Sequence, residues 1–120
     1  MKLIVIGIDR GTMDGVQQYF VRAGAGVRTT AHLEDAHACA VGADAVILFA
    51  DHYSPELSLR TVIELAVSTV IVVTAEVGYY SAARTAESVA PRVFVLRSPV
   101  WGWTLLDAVR SGLGGHVGES

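Results

Sequence analysis

Apolar positions fall into two rhythms along this chain. Residues 3–8 read LIVIGI, 45–50 AVILFA, 70–74 VIVVT and 93–96 VFVL. Each run is continuous rather than alternating, as expected of strands covered on both faces, and each is rich in β-favouring residues. Residues 26–30, GVRTT, make a weaker strand candidate. Between the runs the period lengthens to that of a helix. Met13, Val16, Phe20 and Ala23 share one helical face. Leu59, Val62, Ile63 and Ala66 form an i, i+3, i+4, i+7 set, as do Tyr79, Ala82, Ala83 and Ala86. Leu106, Val109 and Leu113 serve a last helix, and the Ala-rich segment 33–41 is a good helix former with a weak face. Thr12 is placed to cap the first helix, and Ser54-Pro55 reads as an N-cap with proline at the first helical position.

Five strands alternating with five helices predict a three-layer α/β fold around a parallel sheet. Right-handed crossovers leave few topologies, and the flavodoxin-like order 2-1-3-4-5 is the one expected here. Ligands then belong at the carboxyl ends of strands 1 and 3. No linker or repeat interrupts residues 1–113, which read as one domain. The stretch 114–120, GGHVGES, reads as a frayed tail.

Composition narrows the classes. The chain has 120 residues, 52% hydrophobic and 18% charged, enough apolar content for a core and against disorder. A net charge of −3 and the lack of a Lys/Arg block give nucleic-acid binding little support. The single Cys39 cannot form an internal disulfide, and the first apolar run is too short to span a membrane. The expectation is a soluble cytoplasmic protein without a secretory signal.

Topology alone gathers Asp9 and Arg10 after strand 1, Asp51 and His52 after strand 3, Thr74 and Glu76 after strand 4, and Arg97 and Ser98 after strand 5. Two carboxylates, a hydroxyl and a guanidinium around one crevice suit a divalent cation and a phosphoryl group. The bland alternative is that these are turn formers and caps.

On these residues the chain resembles the receiver (CheY-like) domain of two-component response regulators, over essentially 1–113. DHYSP at 51–55 resembles the family's phosphoacceptor Asp-x-x-x-Pro, and VTAE at 73–76 its strand-4 motif, in which the Thr hydroxyl contacts the phosphoryl group. VLRSP at 95–99 resembles the strand-5 motif, where a Lys directly precedes a proline, often across a cis bond. LLDAVR at 105–110 is similar to the last helix. The resemblance implies Asp51 as phosphoacceptor, Asp9 and Asp51 as Mg²⁺ ligands, and Thr74, Arg97 and Ser98 at the phosphoryl or switch positions.

The departures point to a degenerate receiver. The family's two adjacent acids fall on Gly7 and Ile8, with Asp9 one place beyond, and a one-residue slip turns a strand side chain to the other face. Counting from Asp44 puts Phe49, not Asp51, at the phosphoacceptor position. Ser98 stands where the family has Lys, and Arg97 is no neutral exchange. Asp51 is therefore read as a relic or a turn residue. The expected function is a non-enzymatic signalling module acting through protein partners, without a cofactor. One alternative is a working phosphoacceptor served by a histidine kinase and Mg²⁺; another is a small flavodoxin-like ligand binder or enzyme using the same crevice.

Other candidates are weaker. His32 and His37 lack the i, i+4 metal spacing, and with His52 and His116 read as surface or loop residues. Cys39 reads as a small buried hydrophobe. Gly7-x-x-x-Gly11 is no dinucleotide fingerprint. The resemblance implies an interaction face from helix 4, strand 5 and helix 5, drawing here on Tyr79, Tyr80, Trp101 and Trp103, with a homodimer or a partner docking there.

Overall fold

A computed structural model of the chain describes residues 1–64, 69–79 and 92–112. Its sheet is parallel throughout, in the order β2-β1-β3-β4-β5. The strands are β1 (Lys2–Ile6), β2 (Gly26–Thr30), β3 (Ala45–Phe49), β4 (Thr69–Thr74) and β5 (Arg92–Arg97). Helices α1 (Arg10–Arg22), α2 (Ala36–Cys39) and α3 (Pro55–Glu64) alternate with them, followed by a last helix, Gly102–Gly112. Residues 77–79 are helical as well. The three-layer α/β fold expected from the hydrophobic runs is the fold observed.

Strand alternation sorts the core into two layers. Leu3, Val5, Ile47 and Ile71 join Phe20 of α1 and Leu105 and Val109 of the last helix on one face. Ile4, Ile6, Val46, Leu48, Val70 and Val72 meet Ala36 and Ala40 on the other. Every residue of β3 and β4 is buried, which is why their sequences do not alternate. β2 pairs only with β1 and is mostly exposed, which explains its polar composition. β5 is the other edge, and its residues 93–96 are half-buried.

Local readings are corrected in three places. The cap of α1 is Asp9, not Thr12: the Asp9 side chain accepts from the Thr12 amide at 2.9 Å. The segment 33–41 is not one helix but a 3₁₀ turn, Leu33–Asp35, followed by the single turn of α2, which ends before Gly42 at φ +80°. The Ser54 cap of α3 is as expected, its hydroxyl accepting from the Leu57 amide at 3.4 Å. Met13 and Phe20 are buried as expected, whereas Ala23 caps α1 and is exposed. The helical set at Ala82, Ala83 and Ala86, together with Ala66, Tyr80, Leu113, His116 and the tail 114–120, lies outside the described residues, as do the side chains of Leu59, Val62 and Ile63.

Tyr53 ties the β3–α3 connection to the β2–α2 loop, its hydroxyl donating to the Ala31 carbonyl at 2.7 Å. Burial, and secondly the charge of Glu34, push the Tyr53 phenol above its usual 10.0. Folding thus favours the protonated phenol. That contribution is complete below the unfolded value and is lost as pH rises through the higher folded one. Denaturant melts should show stability falling above about pH 10, with the fall reduced in Tyr53→Phe, which itself costs about 1 kcal/mol at neutral pH.

Candidate functional site

The carboxyl ends of β1, β3, β4 and β5 meet the start of α1 and of the last helix. At the end of β1, alternation places Gly7 on the face of Leu3 and Val5, where it is buried. A Cβ on Gly7 would lie 2.8 Å from Met13 Sδ and 3.2 and 3.3 Å from Phe49 Cδ2 and Cβ. The first of the two acid positions is thus filled by neighbours from α1 and β3. Ile8 is exposed. Asp9 turns into its capping role, its Oδ2 accepting from both the amide and the hydroxyl of Thr12.

At the end of β3 both contested residues line one cavity. Phe49 closes the strand opposite Val73 and packs into the α1-side core. Asp51 lies two residues on, in the 3₁₀ turn Ala50–His52, and is exposed. Its Oδ1 accepts from the Thr74 hydroxyl at 2.6 Å and its Oδ2 from the Ala75 amide at 2.8 Å. Thr74, fully buried, also accepts from the Glu76 amide at 2.9 Å. Asp51 therefore clamps the β3–α3 turn to the end of β4. Sequence reading anticipated the Thr74 hydroxyl near Asp51; the Ala75 amide was missed, because a backbone donor leaves no mark in side-chain chemistry.

Arg97 pairs with Thr74 in register, but its guanidinium donates to the Ala75 carbonyl at a long 3.4 Å. Among the described residues no ion pair joins it to Asp51. Ser98 donates its amide to the Thr74 carbonyl at 3.1 Å, and the Ser98–Pro99 bond is cis. Thr12, Val16, Val73, Val100 and Leu105 complete, with Phe49, Asp51, Ser98 and Pro99, the lining of a cavity of about 270 Å³. Asp51, Thr74, Arg97 and Ser98 are thus brought together, whereas the Asp9 carboxylate serves α1. No group of three or more His, Cys, Asp or Glu residues is positioned to hold a metal ion among the described residues.

The last helix starts against α1 because Gly102 lets it. A Cβ there would meet three ring carbons of Tyr19 at 2.9–3.1 Å. Gly102→Ala must push the helix from the ring, and chemical denaturation should report a loss of about 1–3 kcal/mol. This close approach leaves the flanking indoles outside: Trp101 is 67% and Trp103 56% exposed. They stack on each other, ring centroids 5.1 Å apart and planes 4° from parallel. Tyr79 is also exposed. Tyr80 lies outside the described residues.

The remaining candidates sit elsewhere. His32 and His37 are exposed, facing Glu34 and Glu64 at 3.9 and 3.8 Å. Cys39 is a free, half-buried thiol packed beside the α2-side core. No helix among the described residues is long and apolar enough to cross a membrane.

The sequence matches no protein-family model and no curated protein. Solved structures do resemble it. A response regulator receiver domain protein (CheY-like) from Methanospirillum hungatei JF-1 superposes with TM-score 0.74 at 15% identity, covering 99% of this chain and 98% of its own. A two-component response regulator from Clostridium difficile gives 0.72 at 13%, with 95% and 96% covered. A signal receiver domain of a two-component histidine kinase from Clostridium thermocellum gives 0.68 at 18%, with 93% and 96% covered. With the strand order and the site at the strand ends, these likenesses give the chain the CheY-like fold of response-regulator receiver domains.

Proposed function

We propose that the chain is a receiver-like signal-transduction module that works through protein contacts and has lost Mg²⁺-dependent phosphorylation. The observation that carries this reading is the closed position at Gly7, where Met13 Sδ would stand 2.8 Å from any Cβ. Mg²⁺ takes oxygen ligands in near-octahedral geometry. Gly7 and Ile8 supply no side-chain oxygen, and Asp9 is engaged with Thr12. The donor set does not fit the ion. Phosphoryl transfer depends on positioning and charge, and Ser98 brings no cation to replace Lys. On this reading Asp51 is a structural clamp, and the module is cytoplasmic and non-catalytic.

The second reading, a phosphoacceptor at Asp51 with Mg²⁺ and a histidine kinase, is favoured by one observation: an exposed carboxylate within 2.6 Å of the Thr74 hydroxyl. Titration with Mg²⁺ and beryllofluoride, followed by tryptophan fluorescence, separates the two. Trp101 precedes and Trp103 lies in the first turn of the helix that borders the cavity, so they report on it. No saturable change is expected. A Mg²⁺-dependent change that disappears in Asp51→Asn would establish the second reading.

The partner surface is the exposed indole pair with Tyr79. Large exposed aromatics are the usual anchors of protein interfaces. The proposal is self-association or partner docking there, independent of any phosphodonor. Trp101→Ala should weaken a homodimer about tenfold or more in sedimentation, as loss of an anchor does. An unchanged association constant would place the contact elsewhere.

A further inference from the structure

The cavity beside Asp51 is lined mostly by apolar side chains. Five of its walls are the side chains of Val16, Phe49, Val73, Val100 and Leu105, with Pro99 beside them. Thr12 and Ser98 contribute polarity, and Asp51 is the one charged residue among the described residues that line it. Each Asp51 oxygen accepts one hydrogen bond from the described residues, while an ionised carboxylate offers about four acceptor sites. One site per oxygen is left, and among the described residues no cationic side chain pairs with the carboxylate. Arg97 is directed to the Ala75 carbonyl instead.

An exposed carboxylate at the rim of an apolar cavity selects one chemistry. Anions are repelled, and a neutral hydrocarbon gains nothing from the charge. A primary ammonium satisfies both free acceptor sites with charge-assisted hydrogen bonds and places an apolar body against Phe49, Val100 and Leu105. At about 270 Å³ the cavity equals roughly nine waters at ~30 Å³ each, which bounds the body to a short alkyl or a single aromatic ring.

We infer that this crevice binds small primary alkyl- or aralkylammonium ions, with Asp51 taking the head group. The inference rests on the reading that the crevice does not perform phosphoryl transfer. Bound there, a ligand touches Val100, which adjoins Trp101, and Leu105 in the first turn of the last helix. Occupancy is thereby coupled to the proposed docking face.

The test is a titration of the full chain with n-propyl- to n-hexylammonium chloride, read by amide shifts in ¹⁵N–¹H spectra. Saturable shifts are expected at Ala75, Ser98 and Val100. Affinity should rise about fourfold per added methylene until the cavity is full. Asp51→Asn should weaken binding about tenfold or more. Val100→Phe, which fills the cavity and leaves the carboxylate, should abolish it; circular dichroism confirms that both variants fold. n-Hexanoate should give no saturable shift. Equal binding of hexanoate, indifference to both substitutions, or no saturable ammonium shift would overturn the inference. An accompanying phosphodonor incubation separates the failures. Uptake of phosphate at Asp51 sinks the underlying reading, whereas a chain that takes up neither phosphate nor ammonium sinks only this inference.

Discussion

Gly7→Asp is expected to lower the free energy of unfolding by about 3 kcal/mol or more without conferring Mg²⁺ binding. The substitution restores an acid at the first of the two acidic positions of receivers, so restored chemistry would be the naive outcome. Position 7 is buried, and its Cβ alone would press on Met13 Sδ at 2.8 Å and on Phe49 at 3.2 Å. The sulfur, near the end of a flexible side chain, can yield; Phe49 Cβ, at 3.3 Å, is fixed to the backbone of β3. Overpacking of this kind costs about 1–3 kcal/mol. A carboxylate forced against Met13 and Phe49 adds the cost of an unpaired buried charge, which is several kcal/mol if it stays ionised. Gly7→Ala isolates the steric part. Urea unfolding of the two variants, with isothermal titration of Mg²⁺ into Gly7→Asp, checks both halves. Wild-type stability with a new Mg²⁺ site would mean that the pocket opens readily.

Asp51→Ala is expected to destabilise the fold by about 2–3 kcal/mol in the absence of any phosphodonor. A turn residue with no partners would change stability by less than about 0.5 kcal/mol. Asp51 instead accepts from the Thr74 hydroxyl and the Ala75 amide, and Thr74 is fully buried. Hydrogen bonds to charged groups contribute about 1.5–3 kcal/mol each, and the exposure of Asp51 places their sum well below twice that. The Thr74 hydroxyl would keep the Glu76 amide as a donor to it but lose the acceptor for its own proton. Urea denaturation measures the loss, and slowed hydrogen exchange at Ala75 in wild type, relaxed in the variant, assigns it to the clamp.

How far the sequence led depended on the range of the interactions. The strands at 45–49 and 69–74 were legible because burial on both faces removes alternation, a property each strand carries by itself. The receiver likeness at Asp51, Thr74 and Ser98-Pro99 was legible too, and the fold agrees with it. At the start of α1 both Asp9 and Thr12 have cap-forming side chains; they lie in one hydrogen-bonded unit, with Asp9 the acceptor, and sequence alone does not say which. The segment 33–41 divides into a 3₁₀ turn and one α turn, a distinction that alanine propensity does not carry, with Gly42 at φ +80° just beyond. What no local pattern carries is the closure of Gly7. It requires Phe49 of β3, some forty positions on, to converge with the nearby Met13 of α1 on the end of β1. Gly102 is a parallel case: between two tryptophans it reads as a helix start, and only Tyr19, more than eighty positions earlier, explains it. Phe49 and Asp51, two residues apart, both line the cavity, which counting along the strand does not show.

Intact-mass spectrometry after incubation with acetyl phosphate and Mg²⁺ tests the central claim most directly. The claim is that this receiver fold lacks the metal-assisted site, with position 7 closed by its neighbours, the crevice lined mostly by apolar side chains and Asp51 a clamp. A crevice without the acid at position 7 and without Lys at position 98 should take up no phosphoryl group, and wild type should give the same spectrum as Asp51→Asn. A phosphoryl adduct that requires Mg²⁺, maps to Asp51 and is lost in Asp51→Asn would contradict it.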